Sequence, residues 1–379
     1  MDRSEAGGAT ESAGIFPASY EASRARFRRS LGRVAAYWPE ARLEHHRLDG
    51  DEDLTIDWIW ADARDTRDKC LVLTGGIHGV EADVGSAMQQ LFLDVILPQL
   101  AVRSTGLLLV HCINPWGMAH RRRTNSHNVD LNRNFGGFDP ASNADYDRLD
   151  LFLNPRRPVP RPGLSDLLFF FGLLRAVASL GMSRFHRAVL LGQYRFPRGL
   201  YYGGTSPEPE TEVLMGLYRR AIEPYNHLVC LDLHTGYGPR YQMSVVNSPR
   251  ETRSTESLSE AFLYPRVVQA ASDFYAMQGD MIDWVYGVCQ DQGKRVYGAA
   301  LEFGTVGESL LALVHSLRVT LLENQTYWHG AAGERARQRA AREIEAMHAP
   351  REERWRDKAL ADARRALDGI LRAEGFLSG

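Results

Sequence analysis

Residues 228–236 read LVCLDLHTG, an apolar run that contains one aspartate and ends in a histidine, a threonine and a glycine. Three other runs have the same form, with apolar residues that lead into a polar side chain within two residues of Gly or Pro. They are 70–78, which ends at His78, 107–115, which contains Asn114, and 298–304, which contains Glu302. Short apolar runs bounded by Gly or Pro are typical of strands that are buried on both faces of a sheet.

Stretches with a helical spacing of apolar residues separate these strands. Apolar residues recur every three or four positions in 84–96, 164–174 and 310–321. Alternation of buried strands with amphipathic helices predicts an α/β fold, with a mostly parallel or mixed twisted sheet that helices cover on both faces. In such sheets ligands bind outside the carboxyl ends of the strands. The polar side chains that follow the four runs are all expected at that edge.

Composition limits the class of protein. A chain of 379 residues that is 44% apolar can build one large core, and a net charge of -2 gives no basic excess for a nucleic-acid partner. Residues 1–20 lack the apolar segment of a signal peptide. The most apolar stretch, 164–191, is interrupted by three arginines and a histidine, so neither a membrane span nor a membrane partner is expected. We therefore expect a cytoplasmic protein with buried free cysteines.

The chain divides into three parts by composition. Residues 1–45 are expected to form an N-terminal segment that is partly flexible, and 46–330 the main domain. Within the main domain, 136–226 form a long insertion with loops rich in Pro and Arg. Residues 331–379 are charged, have helical spacing and are broken near Pro350, which predicts a C-terminal helical appendage.

Three side chains form a candidate zinc site, namely His78, Glu81 and His234. A zinc hydrolase needs three protein ligands and one open position. His78 and Glu81 lie three residues apart in a glycine-rich turn that leads into a helix, so both can reach one point. This spacing alone is common by chance, and it is the shared position at strand ends that favours a site for one Zn²⁺ per chain.

Three carboxylates are candidates for supporting roles. A metal-bound histidine usually donates its second N–H to a carboxylate or carbonyl, and Asp232 lies on the same strand face as His234. Asp130 is the second candidate, and both also fit ordinary turn or capping aspartates. Glu302 is the candidate general base, because a carboxylate at the end of an apolar strand is costly to bury without a compensating cation. A salt bridge to a neighbouring arginine is the alternative for Glu302.

Taken together, the motifs resemble those of the carboxypeptidase A-like zinc metallopeptidases, and most closely a branch whose substrates are largely unassigned. In chain order they are His78-Gly79-Val80-Glu81, Asn114-Pro115-Trp116-Gly117, residues 123–135, Leu233-His234 and Leu301-Glu302-Phe303. The resemblance covers residues 50–135 and 225–330. It leaves out the insertion, the N-terminus and the C-terminal helices.

The resemblance implies a zinc-carboxypeptidase-like domain with zinc on His78, Glu81 and His234. It also implies that Asp130 supports a zinc histidine. Glu302 would activate the zinc-bound water and then pass its proton to the leaving amine. These roles agree with those reached from the residues alone.

The resemblance further implies a set of substrate contacts. Arg123 would polarise the scissile carbonyl, while Asn132 and Arg133 would bind the terminal carboxylate of the substrate. An internal ion pair is the alternative for Arg133. A looser match over 275–284 places Tyr275 over the substrate and Ile282 in the side-chain pocket. The two arginines that precede Arg123 are expected to form a solvated basic turn.

The sequence therefore predicts a zinc-dependent hydrolase of an amide bond next to a free carboxylate, acting on a small peptide or an acylated amino acid. Asp232-Leu233-His234 and 75–79 also resemble the aspartoacylase and succinylglutamate desuccinylase enzymes, so an N-acyl-amino-acid deacylase is the alternative. A catalytically inactive binding module on the same fold is disfavoured, because all candidate ligands and the base are present. A serine hydrolase is excluded, because the sequence has no G-x-S-x-G motif.

Overall fold

Eight strands form one mixed sheet in the computed structural model, which describes residues 14–269 and 278–378. The strands are β1 (Arg42–Arg47), β2 (Thr55–Ala61), β3 (Lys69–Gly75), β4 (Thr105–Val110), β5 (His227–Gly236), β6 (Met243–Asn247), β7 (Val267–Gln269) and β8 (Arg295–Gly304). Their order across the sheet is β1-β2-β4-β3-β5-β8-β6-β7.

The four strands predicted from the sequence form the centre of this sheet. β4, β3, β5 and β8 lie side by side and run parallel to one another, while β2 and β6 flank them in the antiparallel direction. Because the four strands run the same way, their carboxyl ends meet at one edge. The predicted α/β fold with a mixed sheet is confirmed.

Helices surround the sheet. Within the described residues they are α1 (Tyr20–Arg29), α2 (Leu31–Ala35), α3 (Ala82–Leu91), α4 (Pro115–His120), α5 (Ala144–Leu153), α6 (Pro162–Leu180), α7 (Met182–Leu190), α8 (Pro209–Ile222), α9 (Thr255–Ala261), α10 (Met281–Asp291), α11 (Leu310–His329), α12 (Glu334–His348) and α13 (Glu353–Ala373). Two short 3₁₀ turns, Gly79–Glu81 and Leu131–Arg133, carry candidate site residues.

Alternate residues of the central strands enter two separate cores. On β3, Leu71 and Leu73 belong to a core that includes residues of α1, α3 and α13. Cys70 and Val72 belong to a second core, with residues of α8 and α10. This alternation is the period of two that a strand buried on both faces requires. Helices therefore cover both faces, as predicted.

Both terminal parts are more closely integrated than expected. The break near Pro350 falls between α12 and α13 as predicted, but Trp355, Leu367 and Ile370 of α13 are buried in the same core as the central strands. This helix is therefore part of the core and is not an appendage. At the other end, α1 and the segment after it bury Phe27 and Trp38, and residues 1–13 lie outside the described part.

The insertion contains a small core of its own. Residues of α5, α6 and α7 pack with Leu317 and Leu321 of α11. The apolar stripe of 164–174, expected to cover the sheet, is instead largely exposed, and α6 buries Phe169, Ala176 and Leu180 on its other side. Contrary to expectation, α6 is also long and apolar enough to cross a membrane, judged by length and composition alone.

The surroundings of two helical glycines predict opposite effects on stability when each is replaced by alanine. A Cβ added at Gly369 would collide with the carbonyl oxygen of Phe262, whereas a Cβ at Gly216 on α8 meets nothing within 4 Å. We expect Gly369→Ala to lower the free energy of unfolding by about 1–3 kcal/mol through overpacking. Gly216→Ala should raise it by up to about 1 kcal/mol, because alanine has the higher helix propensity. Urea unfolding of both variants measures the difference, and equal midpoints would contradict this packing.

Candidate active site

Three buried side chains converge at the carboxyl edge of the central strands. His78 follows β3, Glu81 lies on the 3₁₀ turn after it, and His234 lies near the end of β5. Their ligand atoms all lie within 4.8 Å of one another. The sequence-predicted metal ligands are thus brought together as a group that is able to hold a metal ion.

A close backbone contact fixes the turn that carries His78 and Glu81. A Cβ at Gly79 would collide with the backbone of Gly117, so only glycine fits there. The amide of Val80 donates to the carbonyl oxygen of Arg122 at 2.8 Å. The turn is therefore held against the segment that leads to Arg123.

Both histidines have the same orientation relative to their neighbours. His78 Nδ1 lies 3.0 Å from Glu81 Oε1, and its Nε2 lies 3.1 Å from Asp130 Oδ1. His234 Nδ1 lies 3.4 Å from Glu81 Oε2, and its Nε2 lies 2.5 Å from Asp232 Oδ2. Each ring therefore directs Nδ1 toward Glu81 and Nε2 toward a fully buried aspartate. This is the arrangement expected of metal-bound histidines with supporting carboxylates.

The two aspartates are held by further contacts. Asp130 accepts hydrogen bonds from Arg123 Nε at 3.0 Å and from the amide of Asn132 at 3.1 Å. Burial raises the pKa of Asp130, but Arg123 and His78 outweigh it and hold this pKa well below its usual range. Asp232 accepts a hydrogen bond from Thr74 Oγ1 at 2.6 Å. Both aspartates are therefore part of a connected polar network.

The charges and donor atoms of this group fit a divalent cation. Glu81 is buried, and although burial raises its pKa, His78 and His234 hold that pKa well below the usual range. It is therefore a carboxylate. Together with the two buried aspartates it forms an acidic cluster. Arg123 contacts two of these carboxylates, those of Glu81 and Asp130. Two imidazole nitrogens and one carboxylate are a common donor set for Zn²⁺.

Glu302 lies next to this group. It is the register partner of His234 across the parallel β5–β8 pair, and its Oε1 accepts a hydrogen bond from the amide of Tyr237 at 2.9 Å. Burial raises the pKa of Glu302 to about 7, with His234 opposing this shift and Glu81 adding to it. Among the described residues no arginine lies within 4.0 Å of its carboxylate. The salt-bridge alternative therefore has no support in the described part of the chain.

Arg123 lies beside the candidate metal group, as predicted. Its Nη1 is 3.6 Å from Glu81 Oε1, and its Nε donates to Asp130. Burial lowers its pKa, but the two carboxylates reverse this effect and raise it. It is thus a permanent cation next to the candidate metal ligands.

Arg133 is a buried cation with an unusual set of partners. Its side chain donates from Nη1 to the carbonyl oxygen of Asn132 at 2.9 Å and from Nη2 to that of Leu190 at 3.3 Å. Its Nε has no hydrogen-bond partner, and the residue is only 4% exposed. Within 14–269 and 278–378 no carboxylate lies within 4.0 Å of this guanidinium. The structure therefore does not show the internal ion pair that was the alternative.

The three other predicted substrate contacts differ in their surroundings. Asn132 donates from Nδ2 to Asp280 Oδ2 and accepts from the amide of Met281, both at 3.0 Å, so its side chain holds the start of α10. Ile282 is buried in the core between α10 and the sheet, and its role in a side-chain pocket stays a prediction. Tyr275 lies outside the described residues.

Sequence reasoning missed two buried residues near the site. His348, the last residue of α12, has Nδ1 3.3 Å from the carbonyl oxygen of Thr235 and 3.8 Å from Glu81 Oε1. Burial lowers its pKa to about 4, so it is neutral. Arg122 is buried as well, paired with Glu323 and stacked 3.8 Å from the ring centre of Tyr327. No motif or spacing marks His348, and the expectation of a solvated turn was wrong for Arg122.

Comparison with solved structures gives several distant similarities. They include carboxypeptidase A from Helicoverpa armigera, with 14% identity, a TM-score of 0.48 and coverage of 89% of this chain and 75% of that one. The murein-tripeptide amidase from Escherichia coli O157 has 19% identity, a TM-score of 0.36 and coverage of 80% and 97%. An aspartoacylase family protein from Mesorhizobium loti has 17% identity, a TM-score of 0.39 and coverage of 78% and 68%.

Carboxypeptidase A and the aspartoacylase family are among the enzyme groups that the motifs resemble. At such low identities and TM-scores, however, we draw no conclusion about activity from these structures. Comparison with curated proteins gives no match.

A protein family, by contrast, matches most of the chain. The match runs over residues 16–362, which include the whole sheet, the candidate ligands, the insertion and α12. The chain therefore belongs to the family described as protein of unknown function (DUF2817).

Proposed function

We propose that this protein is a zinc-dependent hydrolase that cleaves an amide bond next to a free carboxylate. One observation carries the proposal, namely the buried group in which His78 and His234 both direct Nδ1 toward Glu81. The opposite ring nitrogens face Asp130 and Asp232. Carboxylates in that position fix the tautomer and the orientation of a ligand histidine and raise its basicity.

Glu302 is the residue that moves the proton in this proposal. When bound, zinc acts as a Lewis acid on a carbonyl group and makes water acidic enough to react near neutral pH. Glu302 takes the proton from the attacking water and delivers it to the leaving nitrogen. Burial raises the pKa of Glu302, and general acid–base catalysis is most effective when the pKa of the catalytic group lies near the working pH.

Two arginines have separate tasks in the proposal. Arg123 stabilises the negative charge that develops on the carbonyl oxygen in the transition state, because its guanidinium lies beside the candidate ligand Glu81. Arg133 binds the free carboxylate of the substrate. A buried cation is costly without a compensating anion, and Arg133 has an unpartnered Nε. A planar guanidinium suits two-point capture of a carboxylate.

Deacylation of N-acyl amino acids is the second candidate, and one observation favours it. Arg133 Nη2 donates to the carbonyl oxygen of Leu190, at the end of α7 in the insertion, so the insertion contacts the proposed carboxylate-binding residue. Such a contact suits a compact substrate better than a long peptide. Zinc-loaded protein tested on short peptides and on N-acyl amino acids separates the two candidates.

Replacement of a proposed metal-binding side chain tests whether the site binds zinc. Purified protein should contain about one zinc per chain, and His78→Ala or His234→Ala should lose it, because two remaining ligands hold zinc poorly. His46→Ala, which changes an exposed histidine on β1, should keep its zinc and serves as the control. Zinc content measured by atomic absorption gives the answer without any activity assay. Full occupancy in both ligand variants would refute the assignment.

Replacement of the base separates chemistry from metal binding. Glu302→Gln should reduce turnover on the order of 10²–10⁴-fold, because the general base is lost, while zinc content stays at the parent level. Glu308→Gln, at an exposed position six residues further on, should leave turnover unchanged. Parent-level turnover in Glu302→Gln would remove Glu302 from the mechanism.

The proposed contact between Arg133 and the substrate carboxylate predicts that capping the substrate and replacing Arg133 have non-additive effects on kcat/KM. Hydrogen bonds to charged groups contribute roughly 1.5–3 kcal/mol, so capping the substrate carboxylate as an amide should lower kcat/KM about 10–150-fold. Arg133→Ala should lose a similar factor on the acid but little more on the amide, because both changes delete one interaction. Arg121→Ala, which alters a half-exposed arginine, is the control. Equal losses on acid and amide in a folded Arg133→Ala protein would exclude this role.

A further inference from the structure

The outer face of α6 is an exposed apolar surface. Its members are Leu164, Leu167, Phe170, Phe171 and Leu174, which are each 51–66% exposed. They recur at helical spacing on one side, while Phe169, Ala176 and Leu180 on the other side are buried in the insertion core. Contiguous exposed apolar patches on soluble proteins usually mark an interaction surface. We call these five residues the α6 face.

The charges around the α6 face are strongly one-sided. Between 154 and 190 the sequence has six arginines and one acidic residue, Asp166, although the whole chain has a net charge of -2. Asp166 pairs with Arg318 of α11 and Arg339 of α12, so its charge is directed toward the protein. Two of the six arginines, Arg156 and Arg184, pair with aspartates of α5, whereas Arg157 and Arg161 before α6 and Arg175 within it are exposed. The α6 face is therefore bordered by positive charge.

We propose that the α6 face binds the surface of an anionic lipid bilayer, with α6 lying parallel to the membrane. An apolar helix face with flanking arginines is the pattern of interfacial helices. Basic residues near such a helix are attracted to anionic headgroups. Because Phe169, Ala176 and Leu180 are packed in the insertion core, α6 binds at the interface while it remains part of the domain.

Self-association is a poorer fit for the same surface. Arginines lie at both ends of the α6 face, with Arg161 immediately before the helix and Arg175 near its last turn. Two copies that met through this face would bring arginines together in either relative direction, which like charges disfavour. A lipid surface with negative headgroups has the complementary charge at both ends.

This inference reverses the sequence expectation of no membrane partner. That expectation rested on the arginines that interrupt 164–191. The structure places Arg161 and Arg175 at exposed positions beside the apolar residues, where they are able to reach headgroups while the leucines and phenylalanines enter the lipid.

Vesicle sedimentation with the full chain tests the inference. We expect the protein to bind vesicles that contain phosphatidylglycerol at least about tenfold more strongly than vesicles of phosphatidylcholine alone, and binding to weaken as salt is raised. The double variant Leu167→Glu with Leu174→Glu should lose this binding. Leu263→Glu is the control, because Leu263 is more exposed than either leucine and lies in the turn after α9, and it should bind like the parent.

Two results would overturn the proposal. One is equal binding of the parent protein to both kinds of vesicle at all salt concentrations, which needs no variant. The other is a dimer in analytical ultracentrifugation that the double variant dissociates, with no vesicle binding by the parent protein, which would assign the α6 face to a second copy. Thermal unfolding of the double variant at the parent temperature shows that any loss of binding is not a loss of fold.

Discussion

Burial of several carboxylates in one place is the constraint on which the rest of the site depends. Glu81, Asp130 and Asp232 are almost completely buried at the carboxyl edge of the central strands, and Glu302 lies beside them in register with His234. Carboxylates are costly to remove from water unless a cation or several hydrogen bonds compensate. The histidines and Arg123 provide part of that compensation, and in the proposed function a divalent cation provides the rest. The parallel direction of β3, β5 and β8 brings these groups to a single point.

Segments that are distant in sequence contact the site from three sides. The turn at Gly79 packs against Gly117 and sets the position of His78 and Glu81. From the C-terminal side, α12 places His348 beside Glu81. From the insertion, α7 contacts Arg133. The site is thus built by the whole fold, including segments outside the motifs.

Sequence reasoning located the parts of this structure that depend on local pattern. The strands that lead to His78, His234 and Glu302 were predicted because apolar runs that end in Gly and polar residues are typical of strands at the centre of a parallel sheet. The exposed face of α6 and the buried positions of Ile282 and His348 were not predicted. Helical spacing shows that a helix has an apolar face, but it does not show whether that face meets the sheet, another helix or solvent. A single buried histidine on a charged helix leaves no periodic signal, because its burial depends on long-range packing.

Anomalous diffraction at the zinc edge tests the central claim most directly. Crystals of the protein grown with zinc should show one strong anomalous peak at about 2.0–2.1 Å from Nδ1 of both His78 and His234, the usual zinc–nitrogen distance, with the Glu81 carboxylate as the third ligand. In the same map Asp130 and Asp232 should remain on the Nε2 atoms of the two rings. A peak at another group of side chains, or no peak at these three residues in zinc-saturated crystals, would contradict the account.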